Sequence, residues 1–386
     1  MNSEELTARL FDKARALGFE LVGCCAAVKP PRLDHFHRWL QSGNDGQMRY
    51  LRDRRDAYQH PKYILDGVRS VVMLGTSYRT TPREPPRAGQ GQVSRYAWGS
   101  DYHDVIRSRL HDLSDELREV RPEAKVRGIV DTAPLLEREF AEIAGLGWVG
   151  KNTLLLNRRL GSWFFLAALL TDIELQYNVE PASDHCGTCR ACIDACPTDA
   201  FVEPYVLDSR RCVSYLTIEL RDAVPDRLRR GVGSWLLGCD ICQDVCPWNR
   251  RAVESSEPAF LPSQGMNTVE LRELFGLNED GFRDRFRQTS LWRPRRRGVL
   301  RNAAIVLGNQ RDESAVPALI QGLADTEVIV RGASAWALGQ CSGKAAQAAL
   351  QHREPIEEDP EVCREITAAL RRIEQPPEED PPLASQ

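Results

Sequence analysis

The stretch CGTCRACIDACP, residues 186–197, decides how the middle of this chain folds. Its cysteines are Cys186, Cys189, Cys192 and Cys196, and Pro197 follows the last of them. The spacing C-x2-C-x2-C-x3-C-P is that of bacterial proteins with two iron–sulfur clusters, in which the first three cysteines bind one cluster and the fourth binds the other. The stretch therefore predicts a pair of [4Fe–4S] clusters.

A second cysteine-rich stretch, CDICQDVCP at residues 239–247, ends in the same way, and Cys212 lies upstream of it. The ligand rule of two-cluster proteins assigns the first cluster to Cys186, Cys189, Cys192 and Cys246. The same rule assigns the second cluster to Cys196, Cys212, Cys239 and Cys242. Two clusters held in this way lie close enough for an electron to pass between them.

A zinc site and a set of disulfides are the alternatives for these cysteines. Zinc takes four ligands, usually from two C-x2-C pairs, and gives no role to the two C-x3-C-P endings. Disulfides form in oxidising compartments and are typical of small secreted scaffolds. The two-cluster interpretation is the one that explains the whole pattern.

Length and charge set broad limits on the class of protein. The chain has 386 residues and a formal net charge of −4, which favours two or three domains and predicts no partner by itself. The N-terminal stretch MNSEELTARLFDKARALGF predicts an amphipathic helix and lacks the basic start and apolar core of a signal peptide. No stretch approaches the roughly 18 apolar residues of a membrane span. We expect a soluble, cytoplasmic monomer whose cysteines stay reduced.

Periodicity predicts the order of domains. Short apolar runs at residues 71–74, 128–131 and 162–170 predict strands, and Ile106 begins a series of apolar residues at helical spacing. The predicted domains are an α/β domain at 1–175, a ferredoxin-like two-cluster domain at 176–255, a linker with helical repeats at 256–375 and a disordered tail at 376–386.

The C-terminal part of the chain repeats itself. The sequence RNAAIVLG at residues 301–308 resembles RGASAWALG at residues 331–339, and a weaker copy lies around residues 362–370. Helical repeats with small residues on their packing face predict a HEAT-like array. Two or three such units cannot bury their faces alone, so we expect them to stack on other parts of the protein.

The segment GLGWVGK, residues 145–151, matches G-x-G-x-x-G and nearly matches a phosphate-binding loop. Both motifs should follow a strand, whereas the preceding LLEREFAEIAG predicts a helix. Asn152 also stands where a phosphate-binding loop carries a hydroxyl group. The segment is therefore a weak candidate for nucleotide binding.

Two polar positions are ambiguous from spacing alone. Asp101 and His103 match the start of D-x-H-x-x-G, in which a histidine replaces the lower base of cobalamin, but Ile106 stands at the glycine position. Asp131 ends a predicted strand, where α/β folds place chemistry. An N-cap of the following helix explains Asp131 equally well.

An arginine run marks the start of the repeats. Eight arginines and one acid lie between Arg283 and Arg301, and RPRRR at residues 293–297 follows Trp292 directly. A charge run is usually a solvated face, but this density on an acidic chain also favours a groove for a polyanion such as RNA.

The remaining cysteines are predicted to be small buried hydrophobic residues. They are Cys24, Cys25, Cys341 and Cys363.

Taken together, these segments resemble epoxyqueuosine reductases along most of the chain. The resemblance is carried by SRYAWGSDYH at residues 94–103, IVDT at 129–132, GKNT at 150–153, RCVSYLT at 211–217 and GCDIC at 238–242, together with the cysteine sets and the repeats. The order and spacing of all these segments together are highly specific.

The resemblance implies a cobalamin enzyme that reduces epoxyqueuosine to queuosine at the wobble position of tRNA, the last step of that modification. Cob(I)alamin would be fed by two [4Fe–4S] clusters, and an external flavodoxin or ferredoxin would supply single electrons. Asp131 matches the proton donor of the family. In a closed apolar pocket over the corrin ring, its carboxyl would have a raised pKa.

The resemblance also implies binding residues. Phosphates of the tRNA would contact Arg293, Arg295, Arg296, Arg297 and Arg301. Cobalamin would contact Tyr58, Ser94, Asp131, Leu155, Leu166, Ser214, Asp240 and Ile241. This chain departs from its relatives at Ser94, where some carry cysteine, and at Tyr58, where they carry arginine. The axial ligand of cobalt therefore stays open between water, no ligand and a residue such as His103.

Other functions explain less of the chain. A reductive dehalogenase-like reductase of a small molecule explains cobalamin and clusters, but not the arginine run or the repeats. An electron-transfer ferredoxin on a scaffold leaves the first 175 residues without a role. A protein-interaction role for the repeats is compatible with the main interpretation.

Overall fold

The computed structural model describes residues 1–177 and 183–375, and the predicted disordered tail at 376–386 lies outside these ranges. The chain divides into two compact units. Unit 1 consists of Met1–Thr81, Gly99–Arg210 and Asp240–Leu261, and unit 2 consists of Pro82–Trp98, Arg211–Cys239 and the chain from Pro262 onward. These units are not the contiguous segments predicted from composition, because the chain passes between them several times and both contain part of the cysteine-rich region.

Unit 1 is built on a four-stranded sheet. Its strands, in spatial order, are Leu21–Ala26, Ser70–Ser77, Phe164–Thr171 and Val126–Ile129. Every neighbouring pair is antiparallel. The mixed α/β character is confirmed, but the rule that places chemistry at the carboxyl ends of parallel strands does not apply here. The strand predicted at 128–131 ends at Ile129, so Asp131 lies beyond it.

Helices cover both faces of this sheet, which explains its continuous apolar runs. Every residue of Ser70–Ser77 is buried. On one face, a Cβ added at Gly128 would lie 2.9 Å from the Cβ of Leu110, so the helix Tyr102–Val120 approaches the strand closely. On the other face, Phe140 of the helix Glu137–Ile143 packs in the same core as Met73. A strand buried on both faces has no polar positions to alternate with apolar ones.

Within the described residues, unit 1 also contains seven α-helices and two small ladders. Its α-helices are Ser3–Ala16, Leu33–Gln41, Arg49–Asp53, Tyr102–Val120, Glu137–Ile143, Ala191–Asp194 and Ile241–Asp244. Two small antiparallel ladders pair Trp148–Val149 with Leu155–Leu156 and Phe201–Glu203 with Val206–Leu207. The predicted N-terminal helix is confirmed, and it begins with a capping box between Asn2 and Glu5.

Unit 2 combines a small sheet with a helical array. The sheet orders Trp235–Leu237, Gln90–Val93 and Thr268–Glu270. The α-helices are Val213–Ile218, Asp226–Arg229, Glu279–Phe286, Arg295–Gln310, Val316–Leu323, Val328–Cys341, Lys344–Arg353 and Pro360–Glu374. None of the helices within residues 1–177 and 183–375 is long and apolar enough to span a bilayer.

Small residues set the contacts between the repeated helices. A Cβ added at Gly308 would lie 3.0 Å from Ala337, and one added at Gly339 would lie 2.7 Å from the Cβ of Ala369. The glycines that end the repeated sequences therefore let neighbouring helices approach closely, as the HEAT-like interpretation requires. Cys341 is buried as predicted, whereas Cys363 is only partly buried.

Candidate cluster site and active site

The predicted first cluster set lies within unit 1. Cys186 and Cys189 lie on a loop, Cys192 lies in the helix Ala191–Asp194, and Cys246 follows the helix Ile241–Asp244. Burial, together with the charges of Cys246, Cys186 and Cys189, raises the pKa of Cys192 to about 11. Four neighbouring thiols that repel one another as anions are the kind of site that cationic iron stabilises.

The two cysteine loops repeat the same backbone. The residue before each short helix has nearly the same dihedral angles, φ −127° and ψ 4° at Arg190 and φ −108° and ψ 4° at Asp240. Cys196 N–H donates to a carbonyl three residues back at 3.2 Å, and Cys246 N–H does so at 3.1 Å. Equal spacing of cysteines thus gives equal local geometry.

Aromatic residues pack against the first set. Trp148 is 1% exposed and forms an apolar cluster with Leu156 and Cys246, against which Cys186 and Trp248 pack. The rings of Trp148 and Trp248 meet edge to face, with centroids 5.0 Å apart. Within the described part of the chain, Trp148 Nε1 has no hydrogen-bond partner. A buried N–H next to thiols fits a group that brings sulfur acceptors.

The predicted second set is shared between the two units. Cys196 and Cys242 belong to unit 1, and Cys212 and Cys239 belong to unit 2, so this set stays a sequence prediction. Over residues 1–177 and 183–375, no three or more His, Cys, Asp or Glu side chains are placed to hold a single metal ion. The cysteines of a [4Fe–4S] cluster bind separate iron atoms.

Asp131 stands on a strained loop directly after the sheet. Its φ of 54° lies in the left-handed region that non-glycine residues seldom adopt. Its backbone N–H donates to Glu137 Oε1 at 3.1 Å, and the hydroxyl of Tyr102 donates to Asp131 Oδ2 at 2.9 Å. The side chain is 66% exposed to solvent, so protein atoms do not form the closed apolar pocket expected around it.

His103 forms a charged pair with Asp101 next to Asp131. Its Nδ1 lies 2.7 Å from Asp101 Oδ1, and its Nε2 lies 3.8 Å from Asp131 Oδ2. Burial alone would lower the pKa of His103, but the hydrogen bond to Asp101 and the nearby carboxylate of Asp131 raise it to about 9. The imidazole is therefore protonated at neutral pH.

Glu137 is a functional candidate that sequence reasoning missed. Burial, and then the charge of Asp131, raise the pKa of Glu137 to about 8. Its position in the first turn of a helix made it look like an ordinary acidic residue there. Only its contact with the Asp131 N–H distinguishes it, and no short motif encodes that contact. Glu137 is the half-buried acid of this site, whereas the side chain of Asp131 is exposed.

Aromatic rings line the same site. Tyr102 stacks on Phe165, with centroids 4.2 Å apart and planes at 6°. Tyr58 is buried, and its ring centroid lies 4.9 Å from that of Phe36. Burial raises the pKa of Tyr58, and Asp131 and Glu137 act on it electrostatically. The structure thus places Tyr58 near both acids, and its contact with cobalamin stays a prediction.

The other predicted cobalamin contacts are divided between the units. Those in unit 1 are Leu155, Leu166, Asp240 and Ile241, and those in unit 2 are Ser94 and Ser214. Leu155, Asp240 and Ser94 are buried. Ser94 N–H donates to the Leu237 carbonyl at 2.8 Å within unit 2. These assignments stay predictions.

The segment GLGWVGK is a tight hairpin rather than a phosphate loop. It follows the helix Glu137–Ile143, and Trp148–Val149 pairs with Leu155–Leu156. A Cβ at Gly147 would lie 2.0 Å from the Leu156 carbonyl oxygen, and one at Gly150 would lie 2.6 Å from Leu156 Cδ1. These two glycines are therefore required by the packing of the hairpin.

The arginine run separates into buried and exposed members. Arg301 is 0% exposed, and its guanidinium donates to the carbonyls of Leu216, Leu220 and Asp222 at 2.6, 2.8 and 2.6 Å. Arg296 is paired with Asp325. The prediction that Arg301 and Arg296 bind phosphates is wrong, because their N–H groups bind protein oxygens.

Arg293, Arg295 and Arg297 remain exposed. The guanidinium of Arg295 lies over Trp292 at 4.2 Å from the ring centroid. Arg221, which sequence reasoning missed, donates to the carbonyl of Arg293 at 3.1 Å. Burial and the charges of the three exposed arginines lower the pKa of Arg221, against the opposing effect of Glu219. These four residues form one basic surface of unit 2.

The site and fold define an iron–sulfur protein with a helical repeat array, and comparisons with known families agree. A 4Fe-4S double cluster binding domain matches residues 185–249. HEAT repeats match residues 294–371. A family model described as epoxyqueuosine reductase QueG, DUF1730, matches residues 59–132.

Whole-chain relatives identify the particular family. The epoxyqueuosine reductase of Pseudomonas aeruginosa is 42% identical over 321 residues, covering 81% of this chain and 88% of that protein. That of Cellulophaga algicola is 39% identical over 308 residues, covering 78% of this chain and 98% of that protein. The chain belongs to the epoxyqueuosine reductase family.

Solved structures of such enzymes have the same fold. A crystal structure of an epoxyqueuosine reductase with an epoxyqueuosine-modified tRNA-Tyr stem loop matches with a TM-score of 0.91 and 30% identity, covering 97% of this chain and 100% of that one. The Bacillus subtilis enzyme with its catalytic loop swung out of the active site matches with a TM-score of 0.89 and 30% identity, covering 96% and 99%.

Proposed function

We propose that this protein reduces epoxyqueuosine to queuosine at the wobble position of tRNA, the last step of queuosine biosynthesis, with two [4Fe–4S] clusters and cobalamin. The observation that carries the proposal is Asp131, held by Tyr102 and Glu137 in the chain of an epoxyqueuosine reductase family member. A small-molecule reductase is not favoured, because the relatives act on tRNA nucleosides.

The reaction removes one oxygen atom. Converting an epoxide to an alkene consumes two electrons and two protons and releases the oxygen as water. Cobalamin, when bound, would supply two-electron reducing chemistry, and the two clusters would supply single-electron transfer from a donor such as a flavodoxin or a ferredoxin. The chain itself must position the substrate and deliver protons.

We assign proton delivery to Asp131. The hydroxyl of Tyr102 donates a hydrogen bond to Oδ2. A proton carried on Oδ1 of the carboxyl group is therefore the one available to the departing oxygen. His103, with its Nε2 3.8 Å from Oδ2, carries a positive charge that stabilises the carboxylate left behind. The left-handed backbone of Asp131, fixed by Glu137, holds the side chain in this position.

Several residues of unit 1 are suited to a flat ring with amide groups at its edge. The stacked rings of Tyr102 and Phe165 offer an apolar wall. Asn152 is buried, and within the described residues its Nδ2 has no hydrogen-bond partner, so it is suited to an amide carbonyl. The axial ligand of cobalt stays open between water, no ligand and a residue such as His103.

The exposed arginines of unit 2 are suited to phosphates of the tRNA. Arg293, Arg295, Arg297 and Arg221 place cations on one surface, and Arg295 lies over the ring of Trp292. Phosphate contacts of this kind position a nucleic acid without reading its sequence. We expect a monomer that acts in the cytoplasm.

Nucleoside mass spectrometry after anaerobic turnover tests the assignment of Asp131. We expect Asp131→Asn to slow conversion of epoxyqueuosine tRNA by roughly 10²–10⁴-fold, because the general acid is lost. The control is Asp104→Asn, a neighbouring exposed carboxyl that contacts Arg107. Equal turnover by Asp131→Asn and the control would overturn the assignment.

A further inference from the structure

The hairpin segment GLGWVGK, residues 145–151, places two side chains, Trp148 and Lys151, next to the first cysteine set. Trp148 packs with Cys246 and Cys186 and is 1% exposed. Lys151 Nζ donates to the carbonyl of Cys189 at 2.9 Å and also to that of Gly187. We propose that Trp148 and Lys151 raise the reduction potential of the cluster held by Cys186, Cys189, Cys192 and Cys246; this rests on the proposed cofactors.

The role of Trp148 follows from its indole N–H. Within the described residues, the buried Nε1 makes no hydrogen bond of good geometry. Its N–H is nevertheless directed at the Cys186 thiol, where a hydrogen bond from Trp148 opposes the rise in pKa that burial causes. A bound cluster brings sulfur atoms that accept such a hydrogen bond. Reduction adds one electron to the cluster, so a hydrogen bond to its sulfur stabilises the reduced state more than the oxidised state.

The role of Lys151 follows from its charge. Its ammonium group is bound to the loop that carries two of the cysteines, and its backbone N–H also acts on Cys186. A fixed positive charge a few bonds from the cluster favours the more negative, reduced form.

Asp184 opposes Lys151. It accepts the N–H of Cys186 at 2.8 Å and the hydroxyl of Tyr205, and Lys151 acts on it electrostatically. Removing the carboxylate charge should therefore move the potential in the opposite direction to removal of the ammonium charge. Each of the three side chains therefore predicts a shift of known direction in the reduction potential of the same cluster.

The test is an anaerobic redox titration of the full chain, with clusters reconstituted from iron and sulfide and followed by electron paramagnetic resonance. Trp148→Phe and Lys151→Met should each lower one of the two midpoint potentials, and Asp184→Asn should raise the same one. A tenfold change in electron affinity corresponds to about 59 mV for a one-electron couple. Lys151→Arg should restore the potential.

Matched controls separate these effects from general perturbation. Trp248→Phe makes the same truncation in the same aromatic cluster, and Lys125→Met removes a lysine charge that is paired with Asp66 instead. Both variants should have the midpoint reduction potentials of the wild-type protein. Should Trp148→Phe not fold, the variants at the half-buried Lys151 and the exposed Asp184 still test the inference.

Two failures are distinguishable. If Lys151→Met and Asp184→Asn kept the iron content and the midpoint reduction potentials of the wild-type protein, this inference would be overturned. The proposed function would not be affected. A wild-type protein that takes up no cluster would overturn the proposed cofactors, and this inference with them.

Discussion

The cysteine loops and the arginine run are both short stretches dominated by one residue type, and they behave differently in the structure. The charges of all the other cysteines of the first set act on Cys192. The arginines instead separate into exposed residues, of which Arg293 also pairs with Glu219, and buried residues bound to protein oxygens. The spacing of cysteines along a short loop determines the local geometry of that loop, so the sequence alone predicts how these ligands are arranged. The role of an arginine depends on which face of its helix meets the rest of the fold, and spacing alone does not state that.

The largest effect on activity is expected from the removal of a single cluster cysteine. Because each ligand of a cluster is required, Cys192→Ser and Cys246→Ser should both abolish turnover and lower the iron content by about half. Iron analysis and the nucleoside assay measure this. Cys363→Ser, outside both sets, serves as control. If Cys246→Ser kept full iron content, the pairing of distant cysteines in one set would be wrong.

The arginines, by contrast, should differ from one another. Arg301→Met leaves three buried carbonyls without their donors, so we expect a loss of about 3–5 kcal/mol in the free energy of unfolding. Denaturant unfolding measures the loss. The exposed Arg297 is the matched control, and Arg297→Met should change stability by less than about 0.5 kcal/mol. Similar losses in both variants would contradict the division into buried and exposed members.

Glu137 makes stability depend on pH. Its pKa is raised from 4.5 to about 8 in the folded protein, so between these values the folded state holds a proton that the unfolded state releases. Stability therefore falls as pH rises from about 5 to 8, by about 2 kcal/mol for this half-buried group. Glu137→Gln should flatten the fall.

The pH profile of unfolding distinguishes Glu137 from His103. The raised pKa of His103, about 9, gives stability that is complete below its unfolded value of 6.5 and is lost as pH rises through 9. The Glu137 effect therefore begins at lower pH. A Glu137→Gln profile that matches wild type between pH 5 and 6.5 would show that Glu137 is ionised in the folded protein.

The smallest effect is expected at the exposed basic surface. Charge removal at Arg293, Arg295 and Arg297 should weaken tRNA binding about tenfold, and the slope of log affinity against log salt should fall by about 0.7–0.9 for each lost phosphate contact. Binding titrations at several salt concentrations measure both. Arg283→Met removes an exposed arginine of the same run that lies outside the basic surface and pairs with Asp280, and it is the control. An unchanged slope would remove this surface from the tRNA site.

Much of the fold follows from the sequence, and the reasons are local. The apolar run in Ser70–Ser77 and the spacing in Tyr102–Val120 set their own structure, and the glycines at the ends of the repeats predict close helix packing. The interleaving of the two units was not predictable from composition, because residues 82–98 and 211–239 join unit 2 through contacts distant in sequence.

The contacts of the active site also could not be predicted from the sequence alone. Asp131 was found through a family motif, but the contacts that hold it come from Tyr102, 29 residues away, and from the Glu137 carboxylate. The exposed side chain of Asp131 does not lie in the expected closed pocket, and Glu137, whose pKa burial raises, was not anticipated from the sequence. Such properties arise from tertiary contacts that periodicity and spacing do not encode.

The central claim is tested most directly by supplying the purified protein, under anaerobic conditions, with clusters, cobalamin, a strong reductant and epoxyqueuosine tRNA. Mass spectrometry of the released nucleosides should show the loss of one oxygen from epoxyqueuosine, dependent on cobalamin and on intact Cys192. Unchanged epoxyqueuosine, from protein that contains both clusters and bound cobalamin, would contradict the account.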